Sequence, residues 1–108
     1  MSSGWDRMSY EIQFVEGAVD DLKALDSLLQ RLAWKQMGKI ADSPELGKPL
    51  GKRMGYDLTG FQTIRFYRQA YRVVYEVLED EGVVKIWGVG KREREEVYQA
   101  VARRRGED

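Results

Sequence analysis

Residues 10–15 (YEIQFV) alternate in polarity, with Tyr10, Ile12 and Phe14 on one side and Glu11 and Gln13 on the other. A period of two marks a strand with one buried face. From about residue 18 to residue 41 the period lengthens. Val19, Leu22, Leu25, Leu28, Leu29, Leu32, Ala33, Met37 and Ile40 fall at steps of three and four, the stripe of a helix packed on a core. Asp20 and Asp21 lie in the first turn and Lys35 and Lys39 near the end, as the helix dipole favours. The segment is long for one helix, and Asp26-Ser27 is a capping sequence for a second. It predicts two helices in a hairpin, packed on a sheet.

Residues 43–60 hold both prolines together with Gly47, Gly51, Gly55 and Gly60. They read as the longest loop, linking helices to sheet, and loops of that length are often functional. Residues 61–67, 71–78 and 83–89 then read as three strands, with hairpin tips at Gln69-Ala70 and at residues 79–82. Turn length sets register. Pairing Tyr67 with Arg72 places Arg65 opposite Val74, and pairing Leu78 with Val83 places Glu76 opposite Lys85. One face then carries Ile64, Phe66, Val73, Tyr75, Val77, Val84 and Ile86, an apolar surface for the helices. The other carries Thr63, Arg65, Tyr67, Arg72, Val74, Glu76, Lys85, Trp87 and Val89. Antiparallel sheets commonly leave one such face wet. Gly88 and Gly90 bracket the strand end, and residues 91–105 read as a terminal helix with Val97, Ala100 and Val101 along one side and Tyr98 beside them. The expected fold class is α+β: an N-terminal strand, an α-helical hairpin, a three-stranded antiparallel meander and a C-terminal helix, giving a four-stranded sheet with its helices on one face.

Composition narrows what such a fold can do. At 108 residues the chain is expected to form one domain, over residues 9–105, preceded by a disordered or extended leader, residues 1–8. Met8 is a candidate natural start. There is no cysteine, so disulfides and thiolate metal sites are excluded. There is no histidine, which removes the commonest metal ligand and the commonest general base. Neither metal nor cofactor is expected. No apolar run approaches the roughly 20 residues that cross a bilayer, and MSSGWDRMSY has no apolar core of a signal peptide. A cytoplasmic location with no membrane partner is expected. The 18 basic and 18 acidic residues cancel, but unevenly. Lys48, Lys52, Arg53, Arg65, Arg68 and Arg72 face one acid, Asp57, between residues 48 and 72. A neutral protein with such a segment can bind phosphates locally.

Arginine stays charged and grips phosphate oxygens as a fork. A cluster of Arg65, Arg72 and Arg92 suits a scissile phosphate whose charge grows during reaction. RNA carries its own nucleophile, the 2′-hydroxyl, so orientation alone achieves much. Without histidine, the groups left for proton transfer are Tyr98, Tyr67, Glu76, Glu96 and the lysines. Lys48, Lys52, Arg53, Arg68, Lys91 and Arg94 are candidate RNA contacts, and Tyr67 and Trp87 candidate stacking platforms. Plainer readings stand beside these. Trp87 and Tyr98 can be packing under the last helix, and Glu76 a cross-strand partner of Lys85. Residue types alone favour a basic-faced small domain over a nuclease.

The order of elements, with YRVVYEV at 71–77 and VGKREREEVY at 89–98, resembles the RelE/ParE toxin superfamily over about residues 10–102. The second stretch is similar to the C-terminal signature of the RelE-type messenger RNA interferases. The resemblance implies a RelE-like domain and a type II toxin. It implies a metal-independent endoribonuclease that cuts messenger RNA in the ribosomal A site by 2′-hydroxyl attack. It implies that Arg72 and Arg92 bind the phosphate and assist the leaving group, and that Tyr98 helps position or activate the 2′-hydroxyl. The family's two strand lysines fall here on Thr63 and Arg65, so Arg65 keeps the charge and Thr63 loses it. The implied partners are a RelB-like antitoxin, the 70S ribosome with A-site messenger RNA, and operator DNA only through the antitoxin complex. A ParE-like gyrase inhibitor and a catalytically weakened binding module are the alternatives; Arg92 and Tyr98 speak against the first, and Thr63 keeps the second open.

Overall fold

The computed structural model describes residues 9–53 and 55–107, with Arg53 described by its backbone alone. The expected leader, residues 1–8, and the candidate start at Met8 lie outside them. Strand β1 (Glu11–Phe14) leads into α1 (Glu16–Ala24) and α2 (Ser27–Asp42). A 3₁₀ turn (Pro44–Leu46) precedes β2 (Lys48–Arg53) and β3 (Tyr56–Phe66). Strands β4 (Tyr71–Leu78) and β5 (Val83–Lys91) follow, and α3 (Glu96–Glu107) ends the described chain. The sheet order is β1-β5-β4-β3-β2. β1 runs parallel to β5 and every other pairing is antiparallel. The helical hairpin breaks at Asp26, whose carboxylate accepts from the Leu29 N–H at 2.9 Å, an N-cap. None of the described helices is long and apolar enough to cross a membrane.

The α+β class and the element order follow the sequence pattern, with five corrections. The stretch 43–60 is not a loop: it holds β2 and the first part of β3, so among the described residues the sheet has five strands, not four. β2 is an edge strand, where Pro49 is tolerated because one side of the strand needs no partner. Gly51 (φ 66°) sits beside the register shift and Gly55 (φ 85°) in the turn, both in left-handed backbone that favours glycine.

The helices also do not share one face. Ala18, Leu22, Leu29, Ala33, Met37 and Ile40 of α1 and α2 pack on Phe66, Val73, Tyr75, Val84, Ile86 and Val89. On the opposite face Leu58, Phe61, Val74 and Trp87 pack on Val97, Tyr98 and Val101 of α3. Enough apolar side chains lie on the expected wet face to need a cover. Gly88 lets α3 come close: a Cβ there would lie 2.7 Å from Val101 Cγ2.

The third correction concerns Val89. Tyr75 pairs with Ile86 but Val74 pairs with Gly88, so Trp87 bulges out of the ladder. One extra residue inverts the faces beyond it, and Val89, paired with Val73, joins the α1–α2 core. Fourth, the terminal helix does not begin at Lys91, which ends β5. Arg94 (φ 55°) and Glu95 (φ 59°) are left-handed, and the helix starts at Glu96.

The β4–β5 register is as expected, with Leu78 on Val83 and Glu76 on Lys85. The β3–β4 register differs by two: Phe66 pairs with Tyr71 and Arg65 with Arg72. A shift of two keeps every side chain on its face. The connection then begins at Tyr67, and Tyr67 (φ 49°), Arg68 (φ 55°) and Gln69 (φ 67°) are all left-handed.

Candidate active site

The β3–β4 register makes Arg65 and Arg72 direct cross-strand neighbours, with Thr63 two residues earlier on β3. β2 adds Lys48 directly opposite Thr63. α3, covering the same face, brings Tyr98. These side chains, with Leu46, Pro49, Leu50 and Ile64, line a cleft of about 300 Å³. Its three cations, Lys48, Arg65 and Arg72, meet no carboxylate among the lining residues. That is the electrostatics of an anion site.

Several contacts hold the walls. Arg72 Nη1 donates to the carbonyl oxygens of Gln69 and, at 3.3 Å, of Tyr71. Arg65 Nη1 donates to the Gln69 side chain at 3.5 Å. Both guanidinium groups therefore lean on the hairpin of left-handed residues. Non-glycine residues in that conformation cluster where backbone strain serves a site. On the β2 side, the Tyr75 hydroxyl donates to the Pro44 carbonyl at 2.6 Å and accepts from the Gly47 N–H at 2.9 Å. Gln62 Nε2 donates to the Pro44 and Gly47 carbonyls, each at 3.1 Å. These bonds fix the turn that delivers Lys48. Burial pushes the Tyr75 phenol above its ordinary pKa, with the Gly47 N–H acting against it and the Glu45 charge adding to it. Tyr75 is therefore a structural donor rather than an acid–base group. The Thr63 hydroxyl is buried and has no hydrogen-bond partner.

The remaining expected residues divide. Tyr98 is 1% exposed, part of the α3 core and a wall of the cleft at once. Arg92 does not line this cleft. It lines a neighbouring hollow with Gln69, Ala70, Tyr71, Lys91 and Glu93, and its N–H donates to the Ala70 carbonyl at 2.9 Å. Arg72 and Arg92 thus flank one hairpin, and two guanidinium groups share the cleft where three were expected. Trp87 is not a stacking platform: it is 5% exposed, tilted against Phe61 at 5.2 Å, and its Nε1 donates to Glu76 at 3.1 Å. Glu76 serves this core contact, and the Lys85 ammonium lies 4.9 Å from the indole ring centroid. Tyr67 stays exposed at the hairpin, with the Arg68 guanidinium 5.6 Å from its ring. Lys52 pairs in register with Asp57 on β3 and is absent from the cleft lining. Lys91 lies in the Arg92 hollow, and Arg94 is exposed in the turn before α3. The Arg53 side chain lies outside the described residues.

Sequence reasoning missed the placement of Lys48 across from Thr63. A signal was present: Tyr56 and Leu58 alternate with Asp57 and Thr59. That pattern extends β3 backwards and calls for a partner strand.

Comparison with known proteins agrees with this architecture. Residues 12–96 match the family described as ParE toxin of type II toxin-antitoxin system, parDE. The chain is 31% identical over 97 residues to the mRNA interferase toxin RelE of Escherichia coli strain K12, covering 90% of this chain and 98% of that protein. Its fold is similar to that of an E. coli toxin RelE mutant in the free state, with a TM-score of 0.72 and 29% identity over 90% of this chain and 98% of that one. It is also similar to a chain of the intact E. coli RelBE toxin-antitoxin complex, with a TM-score of 0.66 and 28% identity over 80% of this chain and 100% of that one. By sequence and by fold, this chain belongs to the RelE/ParE toxin superfamily.

Proposed function

We propose that this toxin is a ribosome-dependent endoribonuclease that cuts messenger RNA in the A site. The observation that carries the reading is the pair Arg65 and Arg72, side by side in a cleft whose lining has no carboxylate and one of whose walls is Tyr98. The two guanidinium groups take the non-bridging oxygens of the scissile phosphate and stabilise the charge that develops there. The 2′-oxygen attacks phosphorus, the P–O5′ bond breaks, and the products are a 2′,3′-cyclic phosphate and a 5′-hydroxyl. Tyr98, almost wholly buried, orients the ribose with the part of its side chain that lines the cleft. Arg92, beyond the hairpin, contacts the backbone of a strand crossing it. The ribosome aligns the substrate, which lowers the demand on the protein for a strong base.

The partner is a RelB-like antitoxin in the cytoplasm, and operator DNA is reached only through that complex. The similar E. coli proteins are named as an mRNA interferase and as part of a toxin–antitoxin complex. A second reading, gyrase inhibition, is favoured by the ParE description of the matched family. Primer extension on translated messenger RNA separates them. Cuts at codon positions support the ribonuclease; DNA double-strand breaks with intact messenger RNA support gyrase inhibition; neither outcome leaves a binding module.

A further inference from the structure

The cleft lacks an obvious source for one proton. Departure of a 5′-alkoxide from phosphorus is slow unless the oxygen is protonated as it leaves. Arg65 and Arg72 are guanidinium groups, which hold their protons across the physiological range. Besides the Tyr98 phenol, Lys48 is the proton-exchanging side chain among those lining the cleft. It is not a loop lysine swinging at random. Lys48 is the first residue of β2, in register with Thr63. The turn just before it is held through Tyr75 and Gln62. Directly opposed residues of an antiparallel pair have Cβ atoms about 4.5–5.5 Å apart. The buried, unpartnered Thr63 hydroxyl therefore stands next to the lysine stem and can accept from its ammonium. Leu46 and Leu50 flank the same wall, and an apolar flank strengthens a charge contact once substrate excludes water.

We propose that Lys48 is a catalytic residue of this cleft: its ammonium contacts the scissile phosphate and protonates the leaving 5′-oxygen. The 2′-oxygen–phosphorus bond forms as the 2′-hydroxyl proton passes to water. The P–O5′ bond breaks, and its electron pair takes a proton from Lys48 Nζ. Water then reprotonates the amine, so charge and protons balance over the turnover. The proposal rests on the ribonuclease reading given above.

The test is single-turnover cleavage on ribosomes programmed with two messenger RNAs, one normal and one with sulfur replacing the 5′-oxygen at the scissile A-site linkage. A thiolate leaves without protonation. Lys48→Ala is expected to slow the normal substrate by about a hundredfold or more, yet to cut the sulfur substrate within about threefold of the unaltered protein. Lys48→Arg keeps charge but is a poorer acid, and should follow Lys48→Ala on the normal substrate. A thermal melt unchanged from that of the unaltered protein shows that each variant folds. Normal cleavage by Lys48→Ala, or equal impairment on both substrates, overturns the assignment of Lys48 while leaving the ribonuclease reading in place. An unaltered protein that cuts neither RNA overturns the ribonuclease reading itself, and this proposal with it.

Discussion

Arg65 and Arg72 stand directly opposite one another across β3 and β4. Like charges so placed destabilise a sheet by roughly 0.2–1 kcal/mol, and salt screens the repulsion. A fold selected for stability alone would not keep the pair. Arg65→Gln is therefore expected to stabilise the protein by about 0.5 kcal/mol, with the gain shrinking as salt rises, while cleavage falls by at least about tenfold. Urea unfolding at two salt concentrations, beside a cleavage assay, checks both halves. A less stable Arg65→Gln protein would contradict the idea that this contact is functional.

Tyr75 ties the first wall of the cleft to the sheet. Its hydroxyl bonds the Pro44 carbonyl and the Gly47 N–H. Tyr75→Phe leaves both backbone groups without that partner, and a buried unsatisfied group costs about 1–3 kcal/mol. Gly47→Ala should do at least as much harm, because its Cβ would fall 2.2 Å from the Tyr75 hydroxyl oxygen. Chemical unfolding gives the stability loss. Because Lys48 follows Gly47 directly, cleavage should also fall, and more than it does for an equally destabilising change in the α1–α2 core.

α3 is joined to α1 through one carboxylate. Asp21 accepts two hydrogen bonds from Arg104, at 2.7 and 2.8 Å, and a third from the Val89 N–H at 3.0 Å. Arg104 also donates to the Trp87 carbonyl at 2.9 Å. Asp21→Ala strands a partly buried guanidinium and a backbone donor together. Both groups keep some solvent, so the expected loss is about 2–3 kcal/mol, below the range for a fully buried pair. Amide exchange should rise first in α3. Exchange that rises evenly over the molecule would show that Asp21 stabilises the fold as a whole and does not anchor this helix.

Asp57, on β3, provides a pH test. Its carboxyl is held below the usual aspartate range, chiefly by the Thr59 hydroxyl at 2.6 Å and then by the Thr59 N–H at 3.1 Å. A carboxyl with a depressed folded-state pKa stabilises the protein above its unfolded value, about 3.9. That contribution is lost as pH falls through the folded value. Thr59→Val removes the larger cause, so the Asp57 titration followed by NMR should move up toward the ordinary value. No movement would assign the shift to the Thr59 N–H and to the charges of Lys52 and Arg105.

Local periodicity carried most of the fold. Strand β1, the α1–α2 hairpin with its Asp26 cap, strand β4 and the β4–β5 turn stand where the pattern puts them. The errors have physical causes. Pro49, Gly51 and Gly55 suggest loop when counted, but an edge strand tolerates proline, and a bulge and turn need left-handed residues. The bulge at Trp87 moved Val89 to the other core, and no residue type announces a bulge of that kind. α3 could not be assigned a face from its own stripe, because Val74 and Trp87 gain apolar partners only with Leu58 and Phe61, contributed by the unrecognised extension of β3. The cleft was legible in its arginines and in Tyr98. Lys48 was legible only as a candidate RNA contact, because its place in the cleft depends on a pairing between β2 and β3 that local pattern does not encode.

The most direct measurement is single-turnover cleavage of A-site messenger RNA by Arg72→Ala and Arg92→Ala on programmed ribosomes, with folding verified by thermal melts. Loss of a transition-state charge contact should slow Arg72→Ala by about a hundredfold or more, and Arg92→Ala, whose side chain lies outside the cleft, should be slowed less. Cleavage by both variants at close to the unaltered rate would contradict a phosphodiester held between β4 and the hairpin that Arg72 and Arg92 flank.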